Sequence, residues 1–117
     1  MATPNLINAT TINGLTAVAA VTTTLTAIVT NASSSGKAQR INSLIVSNVN
    51  GTSAATVTVT ILRSATNYRL VYNMSVPAAS SLDLINKTIY LNEGDALQIS
   101  ASVNSYLEAV VSYEEIS

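Results

Sequence analysis

The chain has 117 residues, 48% of them hydrophobic. That is enough for one domain burying roughly 65% of its unfolded surface, and too apolar for a disordered tail. Only 9% are charged, with a net charge of −1, so neither nucleic acid nor an anionic membrane is an expected partner. With no Cys and no His, disulfides, thiolate chemistry, the common zinc sites and His-based proton transfer are all excluded.

The N-terminus "MATPNLINAT" carries no basic segment followed by an apolar run and does not read as a secretory signal. Residues 1–14 are polar, with Asn5, Leu6, Ile7 and Ile12 as the residues of interest, and Asn13-Gly14 supplies a turn signal. They read as an extended arm, and residues 15–117 as the folded domain. Leu15–Val21 is apolar but far short of the ~20 residues of a membrane span. In "TTLTAIVT", Leu25, Ala27 and Val29 alternate with Thr24, Thr26 and Ile28, and "NASSSGK" (Asn31–Lys37) reads as a loop.

Gln39–Asn48 places Leu44 and Val46 on one face and Ile45 on the other; Asn50-Gly51 follows as a turn. Ala55–Arg63, "ATVTVTILR", alternates Val57, Val59 and Ile61 with Thr56, Thr58 and Thr60. Ser64–Asn67 then turns the chain into "YRLVYNMSV", where Tyr68, Leu70, Tyr72, Met74 and Val76 share one side and are expected in a core or an interface. "LDLIN" and "TIYL" are short strands, and Asn92–Asp95 is a turn with Gly94 at positive φ. "ALQISASV" and "YLEAVVSYEEI" close the chain with two more alternating runs. About eight strands with turns every 8 to 12 residues predict an all-β fold: an antiparallel two-sheet sandwich, eight-stranded and of jelly-roll type.

Candidate chemistry is sparse. The threonine row of Ala55–Arg63 does not repeat at a solenoid period, so an ice-binding array lacks its lattice, and Thr suits the wet side of an ordinary strand. Glu93 and Asp95 flank Gly94, with side chains expected in solvent; two carboxylates make at most a weak calcium site. No catalytic, cofactor or metal residue is assigned. Arg63 and Arg69 bracket the hairpin turn and read as solvated edge charges or as partners for acids on another chain. Tyr90 and Tyr106 are the aromatics a glycan would use, a thin set for a carbohydrate-binding module.

"RINSLIVSN" (40–48), "TVTILRSATNYRLVYNMSVPA" (58–78), "IYLNEGDALQISAS" (89–102) and "SYLEAVVSYEEIS" (105–117) together resemble small virion structural proteins of tailed bacteriophages, notably those of cyanobacteria and other marine bacteria. The resemblance runs from about Lys37 to Ser117. "LNEGDAL" (91–97) is also similar to the Gly-Asp turn that leads into a late strand of many jelly rolls. The resemblance implies a non-enzymatic particle component without a cofactor, a capsid decoration or cement protein. Such a protein would bind the major capsid protein or another virion protein as a homo-oligomer, often a trimer, and would reside in the virion after assembly in the host cytoplasm. A tail, neck or fibre component is the alternative within the same picture. On that view the contacts would involve Asn5, Leu6, Ile7 and Ile12 of the arm together with Arg63, Arg69, Tyr90 and Tyr106.

Overall fold

A computed structural model describes residues 6–117. After a 3-10 turn at Leu6–Asn8, nine strands follow among the described residues: β1 Ile12–Ala20, β2 Thr26–Thr30, β3 Ala38–Asn48, β4 Ala55–Arg63, β5 Thr66–Val76, β6 Ser81–Ile85, β7 Ile89–Leu91, β8 Ala96–Ala101 and β9 Leu107–Ile116. They form two antiparallel sheets. One runs β1-β9-β3-β6, with β7 also on β3; the other runs β2-β8-β4-β5. β6 pairs with Leu44–Ser47 and β7 with Gln39–Ile41, so the two occupy one strand position interrupted at residues 86–88. The result is four positions per sheet, the chain crossing from one sheet to the other after each position except at the β4–β5 hairpin: an eight-position jelly-roll sandwich, as expected.

The core is aliphatic. Ile41, Leu44, Val46, Leu107 and Val111 of one sheet face Val57, Val59, Val76, Leu97 and Ile99 of the other, all buried. The central strands β3 and β4 follow the predicted alternation, with Leu44 and Val46 buried and Ile45 exposed. Two buried asparagines tie the ends of the sandwich. Asn31 Nδ2 donates to the carbonyls of Lys37 and Leu91, and Asn48 Nδ2 to those of Ser53 and Val76, at 2.9–3.0 Å. Each thereby satisfies backbone acceptors from other segments, which lets irregular chain lie against the core.

Four expectations are corrected. Asn13-Gly14 is not a turn: both residues lie inside β1, opposite Glu115 and Glu114 of β9, so the regular strand starts at Ile12. The tie begins earlier still, where Thr10 and Thr11 N–H donate to the Ser117 carbonyl. A partner strand contributed from the far end of the chain has overridden a local turn preference. The β4–β5 connection is a two-residue turn, with Arg63 opposite Thr66 and both Ser64 and Ala65 at positive φ (53° and 62°), the backbone of the tight hairpin turns that match strand twist.

β5 does not keep one face inward. Its register against β4 shifts around Val59, and Asn73 adopts φ 49°. Each added residue turns the following side chains over. Val71 and Val76 reach the core opposite Val59 and Ala55. Tyr68 and Met74 hold inward positions opposite Ile61 and Val57 yet stay exposed because β5 is an edge strand, and Leu70 and Tyr72, beside the register shifts, are exposed as well. Finally, Thr60 is buried rather than wet, its Oγ1 lying 3.4 Å from Asn67 Oδ1 and from Gln98 Oε1.

Candidate functional site

β5 is the last strand of its sheet, and the opposite sheet ends at β6 and β7, so one long side of the sandwich is left open between these edges. Apolar groups gather there. Tyr68 and Tyr72 are 59% and 64% exposed, and Leu70 and Met74 of the same strand are exposed beside them. Leu70 shares a shallow groove with Leu84 and Ile89 of the facing sheet, and Tyr68 lines a second depression of about 290 Å³ with Ile61 and Arg63. The Arg69 guanidinium stands 4.7 Å from the centroid of the Tyr72 ring, a separation at which charge and ring quadrupole attract. Two large, rigid aromatics, two flexible aliphatics and one Arg form the composition that concentrates binding energy in protein interfaces. A lone sandwich gains nothing from leaving it in water.

The two arginines of the hairpin differ. Arg69 belongs to this surface. Arg63 is committed within the chain: its Nε donates to Asp95 Oδ1 at 3.0 Å and its Nη2 to Oδ2. Asp95, expected in solvent, is 2% exposed and also accepts the Asn92 N–H at 2.8 Å. Burial, the largest single influence, works to raise its pKa. The hydrogen bonds from Arg63 and Asn92 and the Arg63 charge outweigh it, so the carboxyl titrates below its usual range. The hydrogen bond to Asp95, then its charge, raises Arg63 in turn. Glu93 is half-buried and accepts the Gly36 N–H at 2.9 Å. Both carboxylates thus clamp loops. The described residues contain no group of three or more metal-ligating side chains.

The remaining candidates are dispersed. Asn5 lies outside the described residues. Leu6 and Ile7 open the 3-10 turn, with Ile7 almost fully exposed. Ile12 is exposed on β1, at the opposite edge of its sheet from β6 and β7. Tyr90 on β7 stands across from Arg40, which is ion-paired to Glu114. Tyr106 packs against the core at the other end of β3, where its carbonyl accepts the Val49 N–H. Positions 40 and 48 of β3 are about 27 Å apart along a strand, so Tyr90 and Tyr106 do not share a groove. Leu15 and Val18 of β1 are exposed apolar residues that sequence reasoning does not single out. Their signal is nevertheless present: Ile12–Ala20 contains neither a charge nor a proline.

No protein-family model matches the chain, and no curated protein matches it. Among solved structures, it is similar to a chain of the Bacillus endospore appendages, which form a family of disulfide-linked pili. The TM-score is 0.52 and the identity 13%, over 91% of this chain and 85% of that one. At that identity the likeness concerns the fold alone.

Proposed function

We propose that this protein is a non-enzymatic structural subunit of a virus particle, a capsid decoration or cement protein of a tailed phage that attaches through the open β5 side. The observation that carries this reading is the exposure of Tyr68, Leu70, Tyr72 and Met74 along one edge strand, with Arg69 against the Tyr72 ring. Burying two such tyrosines against a shell is worth several kcal/mol, roughly 1.5–3 for each large apolar side chain fully removed from water. The weakly charged surface supports the same reading, because many copies can crowd on a lattice without mutual repulsion.

A second reading, a subunit of a filament such as a tail or fibre, is favoured by the likeness to a pilus chain. The disulfide linkage of those pili is closed to this protein, which has no cysteine.

The test is re-decoration. Virus particles from a producing culture are stripped of the protein and incubated with purified wild type or with Tyr68→Ser/Tyr72→Ser, then sedimented. Wild type returns to the particles at saturating stoichiometry and the double variant does not, while both melt as folded proteins. Equal binding by the double variant contradicts the reading.

A further inference from the structure

Each sheet edge in this sandwich is a row of backbone donors and acceptors, and three of the four carry devices that discourage further pairing. β2 is five residues long and shifts register between Ala27 and Val29. The β6–β7 edge is two short pieces with Lys87 in the gap between them. β5 shifts register, holds Asn73 at positive φ and carries Arg69. Short length, bulges and cations are how soluble proteins protect an edge. β1 has none of them: it is nine residues without a charge or proline, in unbroken register with β9 from Ile12 to Ala20.

The free side of β1 is well defined. Thr11 and Ser117 exchange both backbone hydrogen bonds, at 3.0 and 2.9 Å, and Val21 N–H donates to Leu107. That parity turns the odd residues toward β9 and leaves the N–H and C=O of Ile12, Gly14, Thr16, Val18 and Ala20 pointing to the open side. Among the described residues no strand pairs there.

Gly14 is the anomaly on this strand. A Cβ built on it meets nothing within 4 Å, and its φ is not positive. Nothing within the chain calls for glycine, although glycine weakens a strand interior and often marks a close approach by another backbone.

We propose that β1 pairs with β1 of a second copy, antiparallel about a two-fold axis through Thr16. In this register the outward-facing groups meet outward-facing groups, and every large side chain falls opposite a small one. Val18, 72% exposed, lies over the partner's Gly14; Ile12 lies opposite the partner's Ala20; Leu15 lies opposite the partner's Ala17. Thr16 meets its own copy, a favourable cross-strand pair. Ile12 of each copy also has a seat, a shallow depression of about 380 Å³ beside Val18, Ala20, Glu108 and Val110. The exposed row Val18–Val110–Ile45 then continues across the axis on a joined sheet.

The size fits a real but modest interface. Nine residues at about 3.4 Å make a contact about 30 Å long; across roughly 15 Å of sheet and side chains, the pair removes about 900 Å² in total. That is close to the ~1,000 Å² at which specific interfaces begin, and it comes with about ten hydrogen bonds, a typical interface complement. The dimer is therefore concentration-dependent, and two-fold rather than the three-fold arrangement the sequence resemblance implies. It does not depend on what the β5 side binds.

Sedimentation velocity and single-cysteine crosslinking test the pairing in the full chain. From about 1 µM to about 1 mM, the wild-type mass rises from 12.1 kDa to twice that value. Gly14→Leu, which has room in the monomer, keeps the fold and the melting temperature but stays monomeric. In this cysteine-free chain, Thr16→Cys forms a disulfide dimer under mild oxidant, since Cα atoms of a hydrogen-bonded antiparallel pair lie ~5.5 Å apart, within disulfide range. Gly14→Cys and Val18→Cys crosslink when mixed and not alone, because each lies about 14 Å from its own copy. A monomer at all concentrations, a Gly14→Leu dimer as stable as wild type, or crosslinking of Val18→Cys alone as efficient as that of Thr16→Cys overturns the pairing. A monomer that still decorates particles contradicts only this inference. A two-fold dimer that binds no particle contradicts only the proposed function.

Discussion

Arg63 and Asp95 grip each other with a guanidinium fork against a carboxylate, and the grip is unequal: Asp95 is enclosed while the Arg63 side chain is nearly half exposed. The pair joins the end of β4 to the turn before β8, neighbours in one sheet that lie 32 positions apart in sequence. Its asymmetry decides what mutation does. Arg63→Met leaves a buried carboxylate with only the Asn92 N–H and costs roughly 2–4 kcal/mol; Asp95→Asn returns the arginine to water and costs roughly 1–2. Urea denaturation of the two variants checks the order; two small and equal losses would mean that the pair contributes only as a surface bridge.

Acid should unfold this protein through two carboxyls. Asp95 is lowered from the usual 3.8 despite its burial. Glu115 is lowered from the usual 4.5 by the Lys37 hydrogen bond against the opposing effect of burial, with help from Gln39 and the Lys37 charge. A lowered folded-state pKa means that the unfolded chain takes up protons first as pH falls. The stabilisation is complete above the unfolded values and is lost as pH drops through the folded ones, so the melting temperature holds near neutrality and falls from about pH 4.5 downward. Asp95→Asn flattens that acid limb relative to wild type. An identical pH profile in the variant rules out the Asp95 contribution.

Folding and docking should separate by residue. Leu97→Ala empties a fully buried position and costs about 2–5 kcal/mol, whereas Tyr72→Ser, on the open side, stays within about 1 kcal/mol. Thermal melts of the two variants make the comparison. A large loss for Tyr72→Ser would place that ring in the fold rather than in an interface.

The β4–β5 turn is under-optimised. Ser64 and Ala65 both hold positive φ, which costs residues bearing a Cβ. Ser64→Asn/Ala65→Gly supplies the residue types this turn favours and should add about 0.5–2 kcal/mol. No gain in the melting temperature would mean that the turn is held by contacts elsewhere.

The architecture is legible in the sequence where a strand has neighbours on both sides. β3 and β4 are flanked in their sheets, so Leu44 and Val46, and Val57 and Val59, fall inward at the alternate positions the spacing predicts. Edges are harder. Asn73 at positive φ in β5 has no unique sequence signature; the register shifts around it bring Val71 to the core, out of step with the even-numbered row, and the edge position leaves Tyr68 and Met74 exposed. Asn13-Gly14 carries the same letters as a turn, and its pairing with Glu115 and Glu114 depends on residues about 100 positions away. Asp95 reads as solvated because its partner, Arg63, is remote in sequence. Of the candidate surface, the alternation of β5 marks its tyrosines as core or interface, while the open groove lined by Leu70, Leu84 and Ile89 exists only once two sheets have packed.

Tyrosine footprinting on intact particles addresses the central proposal most directly. The purified protein and the particle-borne protein are iodinated in parallel, and the labelled peptides are quantified. Attachment through the open side predicts that Tyr68 and Tyr72, freely labelled in solution, are shielded on the particle, while half-buried Tyr113 labels equally in both. Undiminished labelling of Tyr68 and Tyr72 on particles, or no trace of the chain in them, would contradict it.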